Sequence, residues 1–145
     1  MLIIRILANL YTNNFVCIYW GGTTTDYFSV INGVKQGAVL SPVLYCVYID
    51  DLLLLLSKAG VGCYIGQHFV GALAYADDLV IIAPTASALR RLLVLCENYA
   101  REYCISFNAL KSKCLAVVPK NRRAIFENVN DCAFYIDGRP IKFVK

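Results

Sequence analysis

The sequence predicts an α+β fold, in which helices pack on a β-sheet. Three segments carry apolar residues at helical spacing, and the segments between them are short, β-branched or aromatic, and bounded by turn residues. The length of 145 residues suits one domain. The hydrophobic fraction of 59% is high, which favours surfaces that are covered by a partner or by the rest of a larger protein.

The elements predicted before residue 60 are a helix, two strands and a second helix, at residues 2–12, 15–19, 27–31 and 41–57. Asn13 and Asn14 interrupt the first helical pattern. Ser41 followed by Pro42 is typical of a helix start, with serine as the N-cap and proline at the first helical position. Gly60 ends this second helix.

The elements predicted after residue 60 are strands at 61–65 and 69–76, a strand from Asp78 that Pro84 stops, a helix to about Cys104, a strand at 113–118 and a hairpin of 134–136 with 141–143. Thr85 or Ser87 can cap the helix. Asp137-Gly138 is a strong signal for the hairpin turn. The expected buried face of the helix is Leu89, Leu92, Leu93, Cys96, Tyr99 and Ala100.

Two adjacent carboxylates, Asp77 and Asp78, lie between two apolar segments of strand length. This pattern predicts a β-hairpin with the two acids at or near its tip. Like charges at close range repel, and a bound divalent cation removes that penalty. Magnesium takes oxygen ligands and is usually held by one or two carboxylates plus substrate phosphates. An ordinary turn without a metal is the alternative interpretation.

The same letters occur earlier in Tyr48-Ile49-Asp50-Asp51, inside the second predicted helix. Adjacent side chains on a helix diverge by about 100°, so Asp50 and Asp51 cannot easily hold one metal together. They are therefore expected to be helix-surface acids.

A glycine-bounded turn precedes that helix. Gly33 and Gly37 allow the backbone to bend and approach a ligand closely, and Lys35 and Gln36 between them could point at phosphate or base.

Charge, cysteine content and the length of apolar stretches restrict the class of protein. Residues 90–145 carry eleven Lys or Arg against five acids, so this part could bind along the phosphate backbone of a nucleic acid or be a solvated face. The seven cysteines form no CxxC pair, which favours a reducing, intracellular setting in the nucleus or cytoplasm. The longest apolar stretch, residues 39–56, contains two aspartates, so no membrane span and no membrane partner are expected.

Three segments in order resemble the core of a reverse transcriptase: Gly33-Val34-Lys35-Gln36-Gly37 with Leu40-Ser41-Pro42, Tyr75-Ala76-Asp77-Asp78, and Asn108-Ala109-Leu110-Lys111-Ser112-Lys113. The resemblance covers nearly the whole chain and is greatest to non-LTR (LINE-type, Jockey-like) retrotransposon enzymes. It implies a palm with a four-stranded antiparallel sheet. Residues 1–145 would be a single incomplete reverse transcriptase domain, with fingers-side elements at 1–41 and the palm core at 42–145.

The resemblance also implies an activity, namely template-directed addition of deoxynucleotides to a primer 3′-hydroxyl by two-metal chemistry. The cofactor would be two Mg²⁺ ions, with Mn²⁺ as an alternative. The partners would be an RNA template, a DNA primer, dNTPs and the remainder of the retrotransposon polyprotein.

Residue roles follow from the same resemblance. Asp77 would ligate metal directly and Asp78 would support it. Lys111 would neutralise or protonate the leaving pyrophosphate, and Tyr75 would lie near the primer end. The incoming nucleotide and template would meet the turn formed by Gly33, Lys35, Gln36 and Gly37.

The sequence departs from the family pattern at several positions. Lys35 stands where arginine is common, and Ala38 where glycine is common. The family's first acidic motif is missing, and the chain ends near the expected primer-grip turn, so we expect a truncated chain that is inactive alone. The alternatives are a catalytically dead nucleic-acid-binding or interaction remnant and a group II intron maturase-like reverse transcriptase.

Overall fold

The computed structural model describes residues 2–31, 33–35, 37–117 and 133–144. The helices are α1 (Leu2–Tyr11), α2 (Ser41–Ser57) and α3 (Ala86–Glu102). The strands are β1 (Phe15–Val16), β2 (Tyr19–Trp20), β3 (Thr23–Thr24), β4 (Phe28–Ser29), β5 (Tyr64–Ile65), β6 (His68–Phe69), β7 (Ala72–Tyr75), β8 (Asp78–Ile81), β9 (Lys113–Leu115), β10 (Tyr135–Ile136), β11 (Arg139–Pro140) and β12 (Lys142–Val144). Helices and short sheets together confirm the α+β class.

Within these residues the strands form six two-stranded sheets instead of the four-stranded antiparallel sheet that the family resemblance implies. Five pairings are antiparallel, and β9 with β12 is parallel. The chain forms two compact units, Met1–Ser41 and Pro42–Lys145, which are described separately.

The first unit contains α1 and a long ribbon. The left-handed φ of +56° at Asn13 ends α1, and the Asn14 amide donates to the Leu10 carbonyl at 3.0 Å. In the ribbon, β1 pairs with β4 and β2 pairs with β3. The change of register between these pairings leaves two residues, Asp26 and Tyr27, opposite Cys17, which is the pattern of a β-bulge.

The second unit is organised by two helices that share one core. Every third or fourth residue of α2 from Ile49 onward is buried, and these residues meet the buried face of α3. The buried residues of this core are Ile49, Leu52, Leu56, Leu92, Cys96 and Tyr99. The predicted inner face of α3 is confirmed except that Leu89 is only partly buried and Ala88 is buried.

Tyrosine hydroxyl groups form hydrogen bonds that connect α2 with α3 at one end of this core. The Tyr99 hydroxyl donates to the Tyr48 carbonyl at 2.6 Å, and the Tyr48 hydroxyl donates to the Tyr103 carbonyl. The rings of Tyr99 and Tyr103 stack with their centroids 4.2 Å apart. Burial and the neighbouring Tyr103 raise the pKa of Tyr99, so its hydroxyl stays a donor at neutral pH.

Two helix-start predictions have different outcomes. Thr85 caps α3, because its side chain accepts from the Ala88 amide at 3.1 Å. Ser41 begins α2, but its hydroxyl donates to the Lys35 carbonyl at 2.5 Å. Ser41 therefore ties the helix start to the preceding turn.

The Asp137-Gly138 hairpin is confirmed, with φ of +50° and +69° at its two turn residues. The predicted second arm at 141–143 is correct only at Ile141, whose amide donates to the Phe134 carbonyl at 2.8 Å. A two-residue turn pairs Ile136 with Arg139, so the arm begins at Arg139. Lys142–Val144 instead pairs with β9, where Phe143 packs against a second core that includes Phe134.

Strand predictions near the acidic hairpin are also adjusted. The expected strand at 69–76 is divided at Val70-Gly71 into β6 and β7. Of the expected strand at 61–65, only Tyr64–Ile65 forms a strand. The end of the expected 113–118 strand lies outside the described residues. In the part of the chain that is described, no helix has the length and apolarity needed to cross a membrane.

Candidate active site

The acidic pair lies on a tight hairpin formed by β7 and β8. Tyr75 pairs with Asp78, which leaves Ala76 and Asp77 as the two-residue turn. Ala76 has a φ of +50°, a left-handed conformation that costs an L-residue roughly 1–2 kcal/mol. The hairpin therefore presents Asp77 at its tip, as the sequence predicts.

The two faces of the hairpin differ. The inner face packs on the α2–α3 core through Ala72, Leu79 and Ile81. Since neighbouring strand residues point to opposite faces, Asp78 lies on the other face together with Tyr75, its cross-strand partner. Tyr75 is 85% exposed, so this outer face is open in the described structure.

The hairpin base is held by close packing around Gly71, which is buried. A Cβ at Gly71 would lie 2.6 Å from the Phe69 ring and 3.0 Å from the Cys63 amide nitrogen. The Ile82 amide donates to the Gly71 carbonyl at 2.8 Å and extends the hairpin by one pair. Glycine here allows the Phe69 ring to cover the base of the strand.

Two carboxylates at a hairpin tip partly fit a magnesium site. Oxygen ligands are the type that Mg²⁺ takes, and substrate phosphates can complete its shell. However, the described residues contain no group of three or more His, Cys, Asp or Glu side chains placed to hold a metal ion. The hairpin can therefore supply one or two ligands, and the remaining ligands must come from substrate or from other protein groups.

Asp50 and Asp51 occupy a different environment. Both are exposed residues in the middle of α2, as expected for helix-surface acids.

Lys111 lies on a turn that an asparagine organises. The Asn108 side-chain oxygen accepts from the amides of Leu110 and Lys111, each at 3.1 Å, and Ser112 donates to the Asn108 carbonyl at 2.9 Å. This turn leaves the Lys111 side chain exposed. In the described structure no ion pair joins Lys111 to Asp77 or Asp78.

The glycine-bounded turn belongs to the first unit. Gly33 and Gly37 have φ of +95° and +78°, so both need the left-handed region. The Lys35 carbonyl accepts from the Ala38 amide at 3.2 Å, while the exposed side chain remains available. Gln36 lies outside the described residues.

A cavity of about 600 Å³ opens beside this turn, within the first unit. Its walls are mainly apolar and aromatic, and Gly33 and Lys35 are among the residues that line it. The exposed side chain of Lys35 thus lies next to apolar surface.

Tyr45 is a site neighbour that the sequence did not reveal. It lies on α2, half-buried against the α2–α3 core. Burial raises the pKa of Tyr45, and the negative charge of Asp77 raises it further, with a contribution from Cys46. The helical stripe Tyr45, Ile49, Leu52 could have signalled an inward-facing tyrosine, but not its carboxylate neighbour.

No cysteine of the described residues belongs to a group of three or more side chains that could hold a metal ion. No disulfide joins cysteines within the described residues, and burial raises the pKa of Cys96 to about 12. A thiol with that pKa stays protonated at neutral pH, so Cys96 serves as a core residue.

Comparison with known proteins identifies the class. Residues 3–143 match the family Reverse transcriptase (RNA-dependent DNA polymerase). The chain belongs to this family.

Several proteins similar in sequence to this chain are Pol polyproteins of retrotransposable elements. The Retrovirus-related Pol polyprotein from type-2 retrotransposable element R2DM of Drosophila melanogaster is 30% identical over 143 residues, 96% of this chain and 13% of that protein. A Pol polyprotein from a type-1 R2 element of Popillia japonica is 30% identical over 141 residues, 97% of this chain and 22% of that protein. Another from Popillia japonica is 37% identical over 97 residues, 66% of this chain and 14% of that protein.

This chain thus spans 13% to 22% of the length of these relatives. They are Pol polyproteins of non-LTR retrotransposons, which confirms that part of the family resemblance. The finer Jockey-like affinity stays a prediction.

Proposed function

We propose that this chain is part of an RNA-directed DNA polymerase of a non-LTR retrotransposon, which adds deoxynucleotides to a primer 3′-hydroxyl on an RNA template. The observation that carries the proposal is the strained hairpin turn with Asp77 at its exposed tip. Membership of the reverse transcriptase family supports the reaction class.

Asp77 and Asp78 would be the metal-ligating carboxylates. Asp77, in the turn, would ligate directly, and Asp78, at the start of β8, would support it. When bound, Mg²⁺ (or Mn²⁺) would stabilise the charge on the attacking 3′-oxygen and the departing pyrophosphate. The inner face of the hairpin, packed on the core, would keep the carboxylates in place for this chemistry.

Other residues would orient the substrates. Tyr75, with its exposed ring, would lie near the primer end, and Lys111, on its asparagine-organised turn, would meet the pyrophosphate. Gly33, Lys35, Gln36 and Gly37 would contact the incoming nucleotide and template. The first unit would then be the fingers side and the second unit the palm core.

The partners would be an RNA template, a DNA primer, dNTPs and the remainder of the polyprotein. The basic excess of residues 90–145 suits a nucleic-acid backbone. Such a protein would act inside the cell, in the nucleus or cytoplasm.

A second candidate is a nucleic-acid-binding remnant without catalysis. One observation favours it: the described residues include no cluster of three metal-ligating side chains. The same chain could keep the fold and the basic surface while lacking the full metal site.

The test is template-directed incorporation by a longer polypeptide of the element that includes these 145 residues. Labelled dNTPs should be added to a DNA primer annealed to RNA, with Mg²⁺ or Mn²⁺, in the order that the template dictates. Omission of the template or the metal is the control. Binding of primer and template without any incorporation would support the remnant instead.

A further inference from the structure

We propose that Lys113 and Lys142, which lie side by side on β9 and β12, bind the phosphodiester backbone of a nucleic-acid strand. This inference rests on the proposed function for the class of its partner, because both candidate functions include nucleic-acid binding. It does not require catalysis, so a binding measurement alone can test it.

The register of the strands places the two lysines next to each other. β9 and β12 run parallel, and Lys142 pairs with Lys113 while Phe143 pairs with Cys114. Adjacent strands are about 4.8 Å apart, and paired residues project from the same face of the sheet. The two lysine side chains therefore leave the sheet together, on one face.

Burial shows that this face is the outer one. Cys114 and Phe143 are partly buried and pack against the core that includes Phe134. Because neighbouring residues of a strand point to opposite faces, Lys113 and Lys142 point away from that core. Both lysines are exposed, in agreement with this alternation.

Two positive charges on adjacent strands repel each other. Among the described residues, an ion pair joins Glu97 to Arg101, and none joins either lysine to a carboxylate. The Lys113 ammonium instead donates to the Leu110 carbonyl at 3.1 Å. An ammonium group has three N–H donors, so two remain for an anion. An anionic ligand would also remove the repulsion between the lysines.

The rest of the outer face favours a nucleic-acid strand over a free phosphate ion. Leu115 and Val144, the pair at the other end of the two strands, are also exposed. The face thus combines a positive end with an apolar end. A nucleic-acid strand carries phosphates together with apolar sugar and base surfaces, whereas a phosphate ion has only charge to offer. Contacts from lysine to phosphate position a strand without reading its sequence.

The test is fluorescence anisotropy of a labelled single-stranded oligonucleotide, DNA or RNA, titrated with the 145-residue chain. Lys113→Gln combined with Lys142→Gln removes both charges and should weaken binding roughly tenfold at low salt, whatever the sequence. The plot of log affinity against log salt concentration should become shallower by about 1.4, because each phosphate contact contributes about 0.7 on a single strand.

A matched control removes the same charge elsewhere. Lys58→Gln combined with Arg91→Gln changes two exposed residues outside β9 and β12, and it should leave the salt dependence unchanged because it removes no proposed phosphate contact. An unchanged salt dependence in the Lys113 and Lys142 variant, an equal change in the control, or no binding by the parent chain would overturn the proposal.

A charge reversal separates binding from folding. Glutamate in Lys142→Glu would face Lys113, so the melting temperature should not fall below that of the parent, while oligonucleotide binding should weaken as much as in the double glutamine variant. A melting temperature that falls in both variants would show that the lysines serve the sheet itself, and would overturn the proposal. The proposed function stands or fails separately, on template-directed incorporation by the longer polypeptide.

Discussion

Ala76 is the residue at which the candidate site stores backbone strain. Its φ of +50° places an L-alanine in the left-handed region, and such strain persists where the surrounding structure holds it. The pairing of Tyr75 with Asp78 on either side supplies that constraint.

Ala76→Gly should therefore raise the free energy of unfolding by ~1 kcal/mol, because glycine adopts a positive φ without a steric penalty. Urea denaturation followed by circular dichroism measures this. Ala74→Gly, in the extended part of the same hairpin, is the control and should lower stability by roughly 0.5–1 kcal/mol. A loss of stability in both variants would show that the turn is not strained.

Gly37 has two reasons to be glycine, and a pair of variants separates them. Its φ of +78° favours glycine, yet a Cβ there meets open space. Asparagine tolerates the left-handed region, whereas valine does not. If the turn approaches the nucleotide, both Gly37→Asn and Gly37→Val should reduce primer extension by the longer polypeptide at least tenfold. Normal activity of Gly37→Asn would mean that glycine serves the backbone alone.

At the level of elements, the two long helices and the tight turns could be predicted from the sequence. Local signals determine them: the Ser41-Pro42 start, the Thr85 cap and the Asp137-Gly138 turn all act within a few residues. The assignment of residues 142 and 143 to the hairpin arm failed because β12 pairs with β9, more than twenty residues earlier in the chain. No local signal specifies such a pairing.

In the candidate site, too, local features could be predicted from the sequence and features that depend on tertiary packing could not. The position of Asp77 at a hairpin tip follows from two flanking apolar runs, so the sequence could predict it. The partial burial of Tyr45 depends on the core that α2 shares with α3, β7 and β8, which lie more than twenty residues away in sequence. The role of Asn108 in the Lys111 turn is local, and an Asx turn could have been predicted from the residue type.

The acidic hairpin should depend on the contact between Gly71 and Phe69. Gly71→Ala brings a methyl group to within 2.6 Å of the Phe69 ring, and overpacking of this kind costs roughly 1–3 kcal/mol. The loss should be smaller in a Phe69→Leu background, where the ring is absent. Equal losses in both backgrounds, measured by urea denaturation, would show that another contact requires glycine.

For the whole molecule, the important property is that the hairpin would supply only part of the two-metal site proposed above. Two-metal chemistry needs ions roughly 4 Å apart held by carboxylates of more than one element. In the described residues, Asp26 is an exposed residue of the first unit, and no cluster of three ligands forms.

The 145-residue chain by itself should therefore bind metal weakly and extend no primer. Loss of reactant positioning alone can remove several kcal/mol of barrier lowering. Primer extension with Mg²⁺ or Mn²⁺ on the purified chain tests this, with the longer polypeptide as the positive control. Incorporation by the short chain that disappears in Asp77→Asn would show that these residues contain the whole site.

The most direct test of the central claim, that the hairpin tip carries the chemistry, compares the two Tyr-x-Asp-Asp segments in the longer polypeptide. Asp77→Asn and Asp50→Asn each neutralise one carboxylate, the first at the hairpin tip and the second on the exposed face of α2. Primer extension on an RNA template should fall to background in Asp77→Asn and stay within about threefold of the parent in Asp50→Asn, since surface substitutions are usually mild. Equal losses, or full activity without the Asp77 carboxylate, would contradict the claim.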